Sequence, residues 1–183
     1  MSINWPYVIE DNFLNRKDYK HLFQFKEMKL KKGDGTAVVK NGIWLDGSGR
    51  IEGQMSNDYM TEFHNDYYQK LHSLLEKLAP ERIPKIKWLE LNLVWTDKNY
   101  KYPIHVDSPN KLLSVVVYLY PKENSGTILY SDKGGSDKTF VNWVPNRALI
   151  FARQEGVTWH SYEGDGISQR YTLVINLRDD PPT

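Results

Sequence analysis

Apolar residues recur along this chain with two different periods, and the switch between them falls near residue 86. Ahead of it, Tyr7-Val8-Ile9 reads as a short strand, and Asp11-Asn12 precedes Phe13-Leu14 and a helical pattern through Tyr19, Leu22 and Phe23. A glycine-punctuated stretch follows, with Gly33, Gly35, Gly42, Gly47, Gly49 and Gly53. It reads as turns with short strands around 36–39 and 43–45. A second helix is predicted over 58–78, where Phe63, Tyr67, Leu71, Leu74, Leu75 and Leu78 recur at helical spacing and Pro80 and Pro84 close it.

Beyond residue 86 the pattern becomes repeated short strands, predicted over 87–95, 112–120, 126–130, 139–144, 148–152, 158–162 and 170–177. Turn residues separate them, including Pro109-Asn110, Gly134-Gly135, Pro145-Asn146 and Gly164-Asp165-Gly166. Strands at this density predict a mainly β fold with flanking helices: a double-stranded β-helix, or cupin-like jelly roll, with the N-terminal helices packed on one sheet. No internal repeat or low-complexity linker interrupts the 183 residues, so one domain over 1–183 is expected. Residues 1–85 would supply helical and loop support with a candidate lid, and 86–178 the jelly-roll core.

Composition narrows the classes of function. The 24 Lys and Arg residues nearly balance 23 Asp and Glu, for a formal net charge of +1. No global field therefore selects a polyanion, and nucleic acid is not the expected partner. Its only local support is Lys26, Lys29, Lys31 and Lys32, which a solvated helix end explains as well. Cysteine is absent, which excludes disulfides, thiolate metal sites and a cysteine nucleophile and fits a reducing compartment. The first residues are too polar for a signal peptide and no apolar run reaches membrane-spanning length. A soluble cytoplasmic protein with no membrane partner is expected; its oligomeric state has no sequence signature. The 12 tyrosines and 6 tryptophans suit either a core of large residues or the walls of a partly polar cavity.

Four residues carry the candidate chemistry. His105 and Asp107 stand two apart, so in an extended segment both project from one face. Pro103 and Pro109 bracket them and favour an extended stretch that soon turns. His160 lies far downstream. Two imidazoles and one carboxylate form the ligand set of a mononuclear non-haem Fe(II) site with open positions. An isolated pair of this spacing can equally be a surface turn with a capping aspartate. His64-Asn65-Asp66 repeats the spacing, but in a predicted helix those side chains diverge.

The last strand sharpens the case. Arg170, Thr172, Val174 and Asn176 share one face, and Tyr171, Leu173, Ile175 and Leu177 the other. A guanidinium and a hydroxyl two residues apart suit a carboxylate inside a barrel. The alternative is an arginine at an exposed strand end, paired with Asp165 or Glu163. The turn at 164–166 predicts that the His160 and Arg170 strands are antiparallel neighbours. If Tyr118 faces inward, so do Val116 and Ser114, and its phenol can share the same carboxylate; it can equally be a core tyrosine satisfied elsewhere.

Taken in order, these motifs resemble the Fe(II)/2-oxoglutarate-dependent oxygenases, most closely their prolyl-4-hydroxylase-like branch. The resemblance runs through Val8-Ile9-Glu10-Asp11-Asn12-Phe13-Leu14, His105-Val106-Asp107-Ser108-Pro109-Asn110, 115–119, Gly126-Thr127-Ile128-Leu129-Tyr130, 145–151, Trp159-His160 and Arg170-Tyr171-Thr172-Leu173. It implies that His105, Asp107 and His160 hold Fe(II) as the catalytic centre. It implies that Arg170 pairs with the distal carboxylate of 2-oxoglutarate, assisted by Thr172 and Tyr118, and that Trp95 stands near the iron-chelating end. The reaction implied is that of a dioxygenase. O2 and 2-oxoglutarate are consumed, succinate and CO2 are released, and an unactivated C–H bond, such as that of a prolyl residue, is hydroxylated. Ascorbate is the implied reductant. One departure is Asn124-Ser125-Gly126-Thr127, where the family commonly has Gly-Gly-Glu or Gly-Gly-Ile; it puts the substrate side of the pocket in question.

Two other classes compete. A catalytically silent jelly-roll binding or structural protein has no need of all four groups. A metal-dependent cupin-like enzyme that does not use 2-oxoglutarate has no need of Arg170 and Thr172. The expected substrate is a peptide, a protein or a small molecule, and its identity is not readable. Candidate substrate loops are the stretch from Gly33 to Gly53 around Trp44, the approach Asn99-Tyr100-Lys101-Tyr102, and the loop at 131–138.

Overall fold

The computed structural model describes residues 3–27 and 35–180. Its elements run β1 (Val8–Glu10), α1 (Arg16–Phe23), β2 (Thr36–Trp44), β3 (Ile51–Glu52), α2 (Asn57–Leu78), a 3-10 turn (Pro80–Lys85), β4 (Trp88–Thr96), β5 (Lys101–His105), β6 (Lys111–Tyr120), β7 (Thr127–Tyr130), β8 (Thr139–Val141), β9 (Ala148–Phe151), β10 (Trp159–Glu163) and β11 (Arg170–Arg178). The strands form a seven-stranded sheet, β1-β9-β6-β11-β4-β2-β3, and a four-stranded sheet, β5-β10-β7-β8. This is the expected jelly roll, antiparallel in every strand pairing among the described residues.

Alternation along the strands decides which side each sheet buries. On the large sheet, Leu89, Leu91, Leu93 and Trp95 of β4, Leu113, Val115, Val117 and Leu119 of β6, and Tyr171, Leu173, Ile175 and Leu177 of β11 join one apolar cluster. The helices supply its other half through Phe63, Tyr67, Leu71 and Leu75 of α2 and Leu22 of α1. Burial of each such side chain contributes about 1.5–3 kcal/mol, so this layer anchors the sheet. Both helices begin at side-chain caps. Asn15 Oδ1 accepts from Asp18 N at 2.8 Å, and Ser56 Oγ accepts from Tyr59 N at 3.2 Å.

The fold differs from the sequence expectation in two places. From Thr36 to Trp44 the glycine-punctuated stretch is strand rather than loop. Residues 36–44 form one continuous strand, paired with β4 over its whole length, and so the first 85 residues contribute strands as well as support. Gly42 permits this, because a Cβ there would lie 2.0 Å from the Trp88 ring. Gly33 lies outside the described residues.

The second difference concerns β10 and β11, which are not neighbours; they belong to different sheets. The short 164–166 connection crosses between layers and is pinned to the β4–β5 loop, Gly164 N donating to Tyr100 O and Gly166 N to Lys98 O, both at 2.8 Å. A Cβ on Gly164 would lie 2.1 Å from Lys98 O, so glycine is required by the close approach.

Candidate active site

The opposite face of the large sheet looks toward the small sheet across a cavity of about 390 Å³. β11 presents Arg170, Thr172, Val174 and Arg178 to it, β6 presents Ser114 and Val116, and the small sheet contributes Tyr102, His105, His160 and Tyr162.

His105 and His160 are directly opposed across the β5–β10 ladder, with ring centroids 4.2 Å apart. Asp107 follows just past the end of β5. Its Oδ1 lies 3.8 Å from His105 Nε2 and 3.9 Å from His160 Nε2. These spacings are shorter than about 4.2 Å, twice an ordinary nitrogen– or oxygen–metal bond, so one cation can reach the carboxylate and either imidazole together. All three donors lie within 4.8 Å of one another.

The ring tautomers suit that use. His105 Nδ1 faces Pro103 O at 3.0 Å and His160 Nδ1 faces Thr158 O at 3.0 Å. A carbonyl can only accept, so each Nδ1 carries the proton and each Nε2 keeps its lone pair. Burial pushes His160 down to about 4, against the pull of Asp107, so it is neutral at physiological pH.

Asp107 is fixed and ionised. Burial would raise its pKa, but the Lys111 ammonium and the Ser114 hydroxyl outweigh that and hold it well below the usual carboxylate range. Lys111 Nζ donates to Oδ1 at 3.1 Å, Ser114 Oγ donates to Oδ2 at 2.6 Å, and Arg153 Nε donates to the backbone carbonyl at 2.9 Å.

Arg170 is 2% exposed, which removes the alternative of an arginine at a solvated strand end. Its guanidinium lies 4.5 Å from the Tyr162 ring, 5.4 Å from that of Trp143 and 5.7 Å from that of Tyr118. Nε donates to Ser125 O at 3.3 Å, while Nη2 is buried without a hydrogen-bond partner. An orphaned donor on a buried cation is costly unless an anion arrives to meet it. The donor set and this orphan therefore fit a metal ion and a carboxylate ligand sharing one cavity.

The remaining expected residues divide. Thr172 lines the cavity. Tyr118 faces inward and is fully buried, stacked on Trp143 at 4.6 Å, with its hydroxyl donating to Thr127 Oγ1 at 2.9 Å. Trp95 is not brought to the site. It sits on the helix-facing side of β4, stacked on Tyr171 at 5.0 Å, with Nε1 donating to Phe25 O. Its odd position on β4 forces this, because Glu90, Asn92 and Val94 are the residues that line the cavity.

The departure at 124–127 touches the Arg170 end of the cavity through Ser125 O and Thr127. Of the candidate substrate segments, Thr36, Val38 and Lys40 of the glycine-punctuated stretch and Tyr102 line the cavity, and residues 131–138 do not. His64 and Asp66 lie on α2, away from the triad, as expected. Of the basic cluster, Lys26 pairs with Glu27 at 3.5 Å, and the other three lysines lie outside the described residues.

Several site residues were not picked out from the sequence. Tyr162 shares the cavity with His160 because it stands two further along the same strand, a signal that was present. Ser114 is legible as an inward residue but not as the donor to Asp107. Lys111, four after Asp107, has no pattern that marks it.

No protein-family model matches the sequence, and no curated protein matches it. Solved structures match in fold. A prolyl-4-hydroxylase from Pseudomonas putida aligns over 96% of this chain and 93% of its own, at 14% identity and a TM-score of 0.58. A Trichoplax adhaerens prolyl hydroxylase, solved with a peptide fragment of the hypoxia-inducible factor oxygen degradation domain, aligns over 94% and 83%, at 14% identity and 0.59. A 2OG-Fe(II) oxygenase family oxidoreductase from Burkholderia pseudomallei aligns over 95% and 84%, at 12% identity and 0.60. At these identities the likeness is one of fold. The chain thus has the fold of the Fe(II)/2-oxoglutarate oxygenase superfamily, in its prolyl-4-hydroxylase-like form.

Proposed function

We propose that the chain is a single-domain Fe(II)- and 2-oxoglutarate-dependent dioxygenase that hydroxylates an unactivated C–H bond, with a prolyl residue of a peptide or protein as the favoured target. The observation that carries this reading is Arg170. A buried guanidinium with an unpartnered Nη2 faces the same cavity as a histidine–aspartate–histidine triad. A metal enzyme that did not bind an organic acid would have no use for it. The prolyl hydroxylase solved with a peptide supports a peptide target.

Each residue has a task in this reading. His105 and His160 offer Nε2 lone pairs, and Asp107 offers Oδ1, while Ser114 keeps Oδ2 turned aside. Bound Fe(II) with 2-oxoglutarate supplies an O2-driven oxidation, releasing succinate and CO2, that no side chain can perform alone. Arg170 receives the distal carboxylate of the co-substrate with its fork, and Thr172 adds a hydroxyl. Burial pushes Tyr162 up to about 12, so it stays a neutral phenol and does not repel that carboxylate. Tyr118 contributes only if its proton leaves Thr127 Oγ1. The apolar residues Val116 and Val174 shield the space between triad and arginine from water. Ascorbate is the expected reductant in assays.

Succinate release tests the reading. Wild-type protein given Fe(II), O2 and 2-oxoglutarate should release succinate above the no-iron control, and His160→Ala should not. Equal release by both proteins would defeat it.

A further inference from the structure

Past the triad, on the side away from Arg170, the cavity ends in a second cationic wall. Lys111 and Arg178 are register partners across β6 and β11, and both line the cavity. Asp107 is tied to Ser114, whose own partner on β11 is Asn176. Asp107 therefore stands one rung from Arg178, while His160, two residues before the Tyr162 whose ring meets the Arg170 guanidinium, lies toward the other end of the cavity.

The charges of this cavity do not balance. Its ionisable lining is Lys40, Lys111, Arg170 and Arg178 against Glu90 and Asp107, besides the two histidines. A dication and a dianionic 2-oxoglutarate cancel each other, so loading leaves the positive excess in place. Arg170 then faces the co-substrate and Lys40 is exposed to water. With Glu90 beside Arg178 and Asp107 turned to the metal, one surplus positive charge is left on the Lys111–Arg178 pair.

Neither of these cations is well served by its present partner. Lys111 holds Asp107 Oδ1, the oxygen that also faces both histidines, and a cation bound there competes for that oxygen and repels the ammonium. Arg178 is 7% exposed, yet its Nη1 reaches the Glu90 oxygens only at 3.4 and 3.5 Å. Asn176 Nδ2 has taken the closer position on Glu90, at 2.6 Å. Its Nε donates to Asp180 O at 3.1 Å, so the guanidinium has one backbone partner and only a long carboxylate contact.

We infer that Lys111 and Arg178 form an anion subsite that holds a carboxylate of the molecule being oxidised, supplied by a free amino acid or by an acidic group on a peptide. This rests on the oxygenase reading, because the charge count assumes a loaded metal and co-substrate. Lys111 leaves Asp107 for the substrate carboxylate when the metal binds.

Anaerobic calorimetry separates the subsite from the reading beneath it. The heat of loading with Fe(II) and 2-oxoglutarate is recorded first. Matched probes follow: L-proline and other free amino acids against their amides, and proline-centred pentapeptides carrying a flanking glutamate against the same peptides with glutamine. In at least one pair the carboxylate member should bind about tenfold or more tightly than its amide, as expected for a charge-assisted hydrogen bond. The pair that shows the preference identifies the source, free acid or peptide.

Lys111→Gln should erase the preference while metal affinity stays equal or rises, since a competitor for Asp107 is gone. Arg178→Gln alone would leave Glu90 as a buried unpaired charge, so the isosteric double variant Glu90→Gln/Arg178→Gln is the second test. It too should erase the preference, with 2-oxoglutarate affinity within about twofold of wild type, given its distance from Arg170. Loading heat without any carboxylate preference, or a preference that survives both variants, overturns the subsite alone. Absence of loading heat overturns the oxygenase reading, and the subsite with it.

Discussion

On β11, Tyr171, Leu173, Ile175 and Leu177 point at the helices and are fully buried among apolar neighbours. Between them Arg170, Thr172, Asn176 and Arg178 point the other way and are buried almost as deeply. One strand thus carries two chemistries at equal burial. The helix-facing side makes dispersion and hydrophobic contacts that need no partner of particular geometry. The cavity side buries polar groups, and several stay unpartnered, including Arg170 Nη2, Asn92 Oδ1 and Asn176 Oδ1. Such groups lower stability unless something meets them, so their concentration on one face marks that face as built for ligands.

The comparison breaks most visibly if the apolar side is cut. Ile175→Ala should lower stability by about 2–5 kcal/mol, read from the urea midpoint at unchanged slope, while folded protein keeps its affinity for 2-oxoglutarate. Arg170→Met should do the opposite. Stability should hold or rise, as when other buried charges give way to apolar isosteres, and 2-oxoglutarate affinity should fall about a hundredfold. A large loss of stability in that variant would mean that the cavity face holds the fold together after all.

Ser114→Ala probes the same face more gently. Removing the hydroxyl that orients Asp107 should weaken metal binding about 10–100-fold, measured by competition with a chelating dye, and change stability by about 1 kcal/mol. The smallest effect is expected for Thr172→Val, a loss of about 2–10-fold in 2-oxoglutarate affinity with iron affinity unchanged.

Much of this division was legible before any coordinates. Alternation in β11 and β6 assigned each residue to its side, and the spacing of His105 and Asp107 with the distant His160 and Arg170 marked the site. The same alternation places Trp95 with Leu89, Leu91 and Leu93 on the helix side, against the position that the family resemblance implies for it. What was not legible depends on contacts remote in sequence. A short Gly164-Asp165-Gly166 turn looks like a hairpin, and only its backbone bonds to Lys98 and Tyr100 show that the chain crosses between sheets. β2 runs unbroken through Gly42 because the Trp88 ring needs the space, which glycine spacing alone cannot reveal.

The central claim is that the triad and Arg170 form one chamber for Fe(II) and 2-oxoglutarate. Its most direct test is an anaerobic titration of the protein with both, followed by visible absorption. The account predicts a charge-transfer band from the chelated keto acid in wild type, its loss in His160→Ala, and a band in Arg170→Ala only at far higher 2-oxoglutarate. Wild-type protein that takes up Fe(II) but gives no band at saturating 2-oxoglutarate would contradict it.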